Sequence, residues 1–325
     1  MTTSVCTLAF GRDEHLTNLV RGLAQSTVHP DELVIAVMQE NRYDLPDCDF
    51  PVRQIMMGSS GIPLAEARNV AAAEAIGDLL IYLDVDCIPN PDLVGDYIDA
   101  AKTGDGVFMG EVAYLPSGAT ASVSAADNGF DYAAFDRVGV RHSERRGPPE
   151  GQIDRCSDYR CFWSLNFAIS AEDFAATGGF DENYVGYGGE DTDFGRVVAT
   201  SGLPIWWVRG AKAYHQYHPH HMPPVHHIDS VLANVHRFVE KWGEETMDHW
   251  LKAFSLMGLA ERSEAGWRKL RDPNEADLAL TRQQSHQPYA SSATVLEVLE
   301  AEAVGATGTT AAGRAMRAAP EIAAS

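Results

Sequence analysis

An apolar run, Leu79-Leu80-Ile81-Tyr82-Leu83, ends directly in Asp84-Val85-Asp86. Two carboxylates at the end of such a run cannot belong to a hydrophobic core. Their oxygens suit a hard divalent cation whose shell is completed by diphosphate oxygens. They equally suit a strand-end turn that caps the next helix. Asp-x-Asp occurs three times, at Asp47/Asp49, Asp84/Asp86 and Asp191/Asp193, and only the second follows a buried run. A second cluster is Gly186-Tyr187-Gly188-Gly189-Glu190-Asp191-Thr192-Asp193. Its glycines let backbone approach a ligand, and its three carboxylates stand at a helix start, where the dipole favours them whatever else they do. One of them is a candidate general base. Glu190 and Asp191 are adjacent, point in different directions and can hold separate jobs. The third cluster is His215-Gln216-Tyr217-His218-Pro219-His220-His221, part of a stretch from His215 to His236 that holds seven of the 12 histidines. Imidazole is a common ligand of transition metals. His215-x-x-His218 either chelates by itself, donates one ring to a metal held mainly by Asp86, or caps carbonyls in a solvated loop. Arg12 and Arg68 complete the set, as partners for phosphate or a planar base edge or as surface arginines.

The elements that must position these residues follow from hydrophobic periodicity. Val5–Phe10, Leu33–Met38, Val52–Met56 and Leu79–Leu83 read as strands. Glu14–Gln25, with Leu16, Leu19, Val20 and Leu23 at helical spacing, reads as a helix, and so does the Ala-rich Leu64–Ile76, closed by Gly77. Pro89 and Pro91 open a further helix. Continuous apolar strands alternating with helices predict an α/β fold with a mainly parallel central sheet flanked by helices. Ligands in such sheets bind beyond the carboxyl ends of the strands, where Asp84 and Asp86 lie. Further on, Ala119–Arg137 reads as a helix, 142–158 as a long loop of the kind that closes over a ligand, and Phe162–Ile169 as a strand. A helix spans Glu190 to Thr200, short strands follow at Ile205–Val208 and Lys212–His215, and His226–Trp242 and Glu245–Met257 read as amphipathic helices. After about residue 302 the Ala, Gly and Thr composition predicts a flexible tail.

Composition narrows the partners. With 25 Lys and Arg against 46 Asp and Glu, the net charge is −21, which argues against nucleic acid or an anionic membrane as partner. A phosphate ligand would need a cation or a few well-placed arginines. There is no apolar run long enough for a membrane span. The N-terminus enters a strand-like run without a basic region, which argues against a cleaved signal peptide. Five cysteines, Cys6, Cys48, Cys87, Cys156 and Cys161, without Cys-x-x-Cys spacing, point to reduced thiols and a cytoplasmic protein.

The order of these motifs resembles the metal-dependent, nucleotide-sugar glycosyltransferases of the GT-A fold. It is most similar to the beta-1,4-galactosyltransferases and their bacterial relatives, with the polypeptide GalNAc-transferases more distant. Phe10-Gly11-Arg12-Asp13-Glu14-His15-Leu16 resembles the family's Phe-Arg-Asn-Arg-x-Glu-His-Leu, one residue shorter. Leu83-Asp84-Val85-Asp86-Cys87-Ile88-Pro89 resembles its Asp-Val-Asp-Leu-Ile-Pro. Gly178-Gly179-Phe180 through Asp193 resembles its Gly-Phe…Tyr-x-Gly-Trp-Gly-Gly-Glu-Asp-Asp-Asp, and His215-x-x-His218 lies where it carries Met-x-x-His. The similarity runs colinearly over about residues 3–220.

The resemblance implies a hexosyltransferase that moves a hexose from a UDP-sugar to an acceptor hydroxyl on a saccharide, small molecule or peptide, with Mn²⁺ or another divalent cation as cofactor. Asp86, His218, Asp84 and His215 would ligate the metal. Arg12, Arg68 and Asp84 would hold uridine or diphosphate. Tyr187, in the place of the family's Trp, would stack on a sugar, and Trp163 falls in the stretch beside the donor sugar. Asp191 would be the base and Glu190 would orient a sugar. A base at Asp191 implies inversion, whereas the likeness to GalNAc-transferases implies retention. The domains expected are a catalytic domain over 1–222, a helical extension over 223–301 and the tail 302–325. Two other classes fit some of the residues. One is a non-catalytic metal- or sugar-binding module built on the histidines. The other is a nucleotidyltransferase, which the missing Gly-rich, basic loop after the first strand disfavours.

Overall fold

The computed structural model describes residues 1–58, 62–121, 129–142, 145, 147–149, 151–283 and 292–307. The first half alternates as expected: β1 (Thr3–Ala9), α1 (Asp13–Ala24), β2 (Glu32–Val37), β3 (Val52–Met56), α2 (Leu64–Glu74), β4 (Leu79–Leu83), β5 (Cys87–Pro89) and α3 (Leu93–Ala101). Short elements follow: β6 (Val107–Met109), β7 (Val112–Tyr114), α4 (Tyr132–Val138), β8 (Val140–Arg141), β9 (Ile153–Cys156), β10 (Asn166–Ser170) and α5 (Ala171–Thr177). Then come α6 (Glu190–Thr200), β11 (Ile205–Val208), β12 (Ala213–His215), α7 (Ile228–Trp242), α8 (Asp248–Leu256), the hairpin β13 (Ala260–Ser263) and β14 (Gly266–Lys269), α9 (Glu275–Thr281) and α10 (Ser292–Thr307). Among the described residues no helix is long and apolar enough to cross a membrane.

Eight strands form the main sheet in the order β3-β2-β1-β4-β10-β6-β11-β9. Its first four strands are parallel, β10 runs against both its neighbours, β6 and β11 are parallel, and β9 closes the edge antiparallel. The apolar runs are continuous because both faces are covered. In β1 and β2, Val5, Leu33, Ile35 and Val37 enter one core, while Cys6, Val34 and Ala36 enter the other. The four strands β5-β12-β7-β8 make a second sheet. Its register sets His215 opposite Cys87 on one side and opposite Tyr114 on the other.

Four expectations need correction. Within 119–137 the helix is confined to α4; residues 122–128 lie outside the described residues. The stretch 142–158 is not all loop, since β9 pairs with β11 there. The strand expected from Phe162 begins at Asn166, because Tyr159–Cys161 is a 3-10 turn and Phe162 packs under α6 instead. The tail expected from residue 302 starts inside α10, and residues 308–325 lie outside the described residues.

Beneath α6 is an aromatic cluster in which Phe180 stacks on Phe194 at 4.2 Å and Tyr82 on Phe167 at 4.5 Å. Phe194 is fully buried and lies on the first turns of the helix that starts at Glu190. Phe194→Ala should therefore cost about 3–5 kcal/mol, the usual cost of deleting a buried ring. Urea unfolding measures it, and a loss well below that range would mean that the cluster collapses around the gap.

Candidate active site

Asp86 is where distant parts of the chain meet. The turn after β4 is closed by the Cys87 amide donating to the Asp84 carbonyl. The Gln216 amide donates to the Asp86 carbonyl at 2.7 Å, extending the β5–β12 pairing by one step. His215 Nε2 then lies 3.3 Å from Asp86 Oδ1, and His218 Nε2 lies 3.4 Å from Asp86 Oδ2. Arg12 reaches the same oxygen, Nη1 to Oδ2 at 2.8 Å, and its Nη2 is 3.3 Å from His218 Nδ1. It does so from the turn between β1 and α1, where Gly11 and Arg12 both take left-handed backbone. A non-glycine residue rarely does this.

The donor set tests as a cation site. Ligand atoms of Asp86, His215 and His218 all lie within 4.8 Å of one another. Asp86 Oδ1 is buried and has no hydrogen bond among the described residues. His215 is pushed down to about 4, chiefly by burial and against the pull of Asp86, so its ring is neutral at physiological pH. Burial opposes ionisation of Asp86, yet His215, His218 and Arg12 hold it well below the usual carboxylate range. One carboxylate and two imidazoles suit a divalent transition metal. The neighbouring histidines do other things. His220 Nδ1 contacts the His218 carbonyl, His221 Nδ1 contacts Thr281 Oγ1 on α9, and His226 packs between His221 and His227.

A second centre is Arg68 on α2, whose small neighbours Ala65, Ala67 and Ala71 let the helix lie close on the sheet. Its guanidinium is buried, lies over the Phe180 ring at 5.2 Å and bridges Asp84 and Glu190, each at 3.3 Å. Burial raises Asp84 to about 6, with Arg68 opposing and Asp86 adding to the rise. Burial and then Asp191 raise Glu190 to about 7, against Arg68. Asp191 is raised too, by burial against Arg68, while its Oδ1 accepts from the Thr192 amide at 2.7 Å. Asp84, Asp86, Glu190 and Asp191 all act electrostatically on the Tyr187 hydroxyl, and with burial they push it up. Trp163 stands apart from this contact set, against His142 at 4.8 Å and under Arg145 at 5.1 Å.

The glycine loop is held by the C-terminal helices. Asn234 on α7 donates to the Gly188 carbonyl at 2.7 Å. A Cβ on Gly188 would lie 2.9 Å from Met247 Sδ and 3.0 Å from Trp250, so only glycine fits. Tyr187 lies nearly parallel to His227 and Trp250, with ring centroids 5.0 and 5.8 Å away. The sequence left Asp193 without a role. It is fully buried and accepts from Lys241 at 2.7 Å, Trp242 Nε1 at 2.6 Å and the Tyr184 hydroxyl at 3.2 Å, tying α6 to the end of α7. The Lys-Trp pair closing an amphipathic helix was the available signal.

Two family profiles match this chain: glycosyl transferase family 2 over residues 4–125, and the N-terminal domain of galactosyltransferase over residues 151–221. Validoxylamine A glucosyltransferase of Streptomyces hygroscopicus subsp. limoneus is 26% identical over 259 residues, 73% of this chain and 56% of the relative. Hyaluronan synthase of Pasteurella multocida is 24% identical over 238 residues, 66% of this chain and 24% of the relative. The chain thus spans little more than half of the first relative's length and about a quarter of the second's. Among solved structures, GalNAc-T7 with UDP, GalNAc and Mn²⁺ has a TM-score of 0.53 at 16% identity, covering 94% of this chain and 57% of that one, a likeness of fold. The chain therefore resembles glycosyltransferases, and its α/β architecture is like that of the GT-A fold, as the motifs led us to expect.

Glu190 supplies a pH test. In the unfolded chain it ionises near 4.5, while in the folded protein it keeps its proton to about 7. Between these values the folded state binds more protons, so this group makes stability fall as pH rises. Thermal unfolding of the metal-free protein should show that decline, and Glu190→Gln should flatten it. An unchanged slope would place the proton uptake on another group.

Proposed function

We propose that this chain is a glycosyltransferase that uses a UDP-sugar and a divalent cation, and that it inverts the configuration of the transferred hexose. The observation that carries the reading is the convergence, at the end of β4, of Asp86 with His215 and His218 beside the Arg68-bridged acids Asp84 and Glu190. The likeness to glycosyltransferases in both sequence matches supports it. On this reading residues 1–222 form the catalytic domain, and residues 223–301 complete it by holding the glycine loop.

Asp86, His215 and His218 hold the cation, with Mn²⁺ as the expected ion. When bound, it supplies positive charge to a departing diphosphate. Arg12, already on Asp86, reaches the same diphosphate or the uridine. Arg68 keeps Asp84 and Glu190 apart and oriented, and Asp84 faces the nucleotide. Glu190 accepts from a sugar hydroxyl. Asp191, raised by burial and with Oδ1 fixed by Thr192, takes the proton of the acceptor hydroxyl as that oxygen attacks the anomeric carbon. Tyr187, backed by His227 and Trp250, gives a sugar ring a flat apolar face.

Calorimetry with UDP is the primary test. Binding should need Mn²⁺, because Asp84 and Asp86 repel a bare diphosphate; equal affinity in EDTA sinks the metal assignment. His218→Ala should weaken Mn²⁺-dependent UDP binding by about tenfold or more, the scale of a lost metal contact, whereas His220→Ala and His221→Ala should leave it close to wild type. Like effects from all three would mean that the cluster acts diffusely.

Asp191→Asn separates chemistry from binding. Transfer, or hydrolysis of the UDP-sugar, should fall roughly 10²–10⁴-fold, the contribution of a general base, with UDP affinity held. Retained turnover would move the base elsewhere and reopen a retaining mechanism.

A further inference from the structure

Arg145 is a buried cation. It is 8% exposed, and among the described residues it forms no salt bridge. Its guanidinium lies between two indole rings, 5.1 Å from Trp163 and 4.9 Å from Trp207. Nη1 donates to the Cys161 carbonyl at 2.9 Å. Nε and Nη2 are buried and make no hydrogen bond among the described residues. Asp191 is the carboxylate among the groups acting most strongly on it, and Tyr114, whose ring is 4.9 Å from His215, also feels its charge.

Burying a cation without a partner costs several kcal/mol, and one carbonyl and two ring faces do not require a guanidinium. Stacking uses the faces of the group and does not satisfy its edge, whose buried Nε and Nη2 have no partner among the described residues. Nε and Nη2 lie on one edge, and their parallel N–H bonds match two oxygens of a carboxylate or phosphate. The indoles fix the plane of the fork, so little entropy is lost when it is filled.

We propose that the Nε–Nη2 edge of Arg145, clamped between Trp163 and Trp207, is an oxyanion subsite beside the acid–histidine cluster. Its ligand is the diphosphate of the donor or the carboxylate of an acidic sugar. The placement rests on the UDP-sugar reading, which puts Asp191 next to the reacting hydroxyl.

The test is calorimetry in Mn²⁺ with wild type, Arg145→Met and Arg145→Lys, using UDP, inorganic diphosphate, UDP-glucose and UDP-glucuronate, with thermal unfolding alongside. If the subsite takes the diphosphate, Arg145→Met should weaken UDP and inorganic diphosphate by about tenfold or more, the scale of one lost charged hydrogen bond. If it takes an acidic sugar, UDP affinity should hold and the preference for UDP-glucuronate over UDP-glucose should fall by that amount. Arg145→Lys keeps charge and length but not the fork, and should show the same pattern even if the methionine variant folds poorly. Wild type that binds UDP, with both variants within about twofold on every ligand, overturns the subsite and leaves the donor reading standing. Wild type that binds none of the uridine nucleotides overturns the donor reading and the subsite together.

Discussion

Four carboxylates in one cleft of a chain with net charge −21 repel one another, and the fold has to meet that repulsion before the cleft can do anything. It does so unevenly. Asp86 receives Arg12, His215 and His218 and is held as an anion. Asp84 and Glu190 share the buried guanidinium of Arg68, and both keep raised proton affinity. Among the described residues, Asp191 has only a backbone amide and a hydroxyl on one of its oxygens. Environments that push like groups apart give them different chemistry. On the proposed reading, the anion among imidazoles would take the cation, and the carboxylates of raised basicity would accept a proton or contact a sugar.

That division is made by topology. The Asp-x-Asp turn follows β4, so its position depends on the central sheet, where β4 lies between β1 and β10. The histidines arrive through the second sheet, whose β5–β12 register pairs Cys87 with His215. A shift of one residue would turn His215 to the other face of that sheet, and Asp86 would lose a neutral nitrogen. The register is pinned on both sides of β12 and beyond its end, where Asn18 donates to Gln216 Oε1 at 2.8 Å and Gln216 Nε2 donates to the His15 carbonyl at 3.1 Å. Two buried amides, Asn18 on α1 and Gln216 after β12, thus fix the loop that delivers His218.

Local pattern explains what was legible beforehand. Buried strands read as apolar runs, so the acids ending β4 stood out as misfits, and the glycines before Glu190 announced a helix start with a tight approach to it. The choice among seven clustered histidines was legible only through a family likeness. Spacing alone cannot say which rings a non-local strand pairing will turn toward Asp86. Arg145 was invisible for a related reason. It lies in an aperiodic stretch, and its burial comes from Trp163 and Trp207, 18 and 62 positions away. The misplaced helix over 119–137 is the opposite failure, a plausible helical composition of which, among the described residues, only Tyr132–Val138 is helical, although Phe130 before it packs into the same core as Phe135.

The acid run at the start of α6 shows how burial and donor count separate structure from chemistry within one motif. Asp193 is fully buried and receives a lysine, an indole and a phenol, so its charge is met and no ligand can reach it. Glu190 is nearly as buried but has one cationic neighbour and an oxygen, Oε2, without a hydrogen bond among the described residues. Asp191 is the more open of the adjacent pair. Since Lys241 and Trp242 also end the helix whose Asn234 holds Gly188, the tie at Asp193 and the tie at the glycine loop restrain the same turn from both sides. The C-terminal helices therefore hold the start of α6 and the glycine loop in place. Loosening α7 would let the start of α6 move, and the spacing of Glu190 from Arg68, on which its raised proton affinity depends, would move with it.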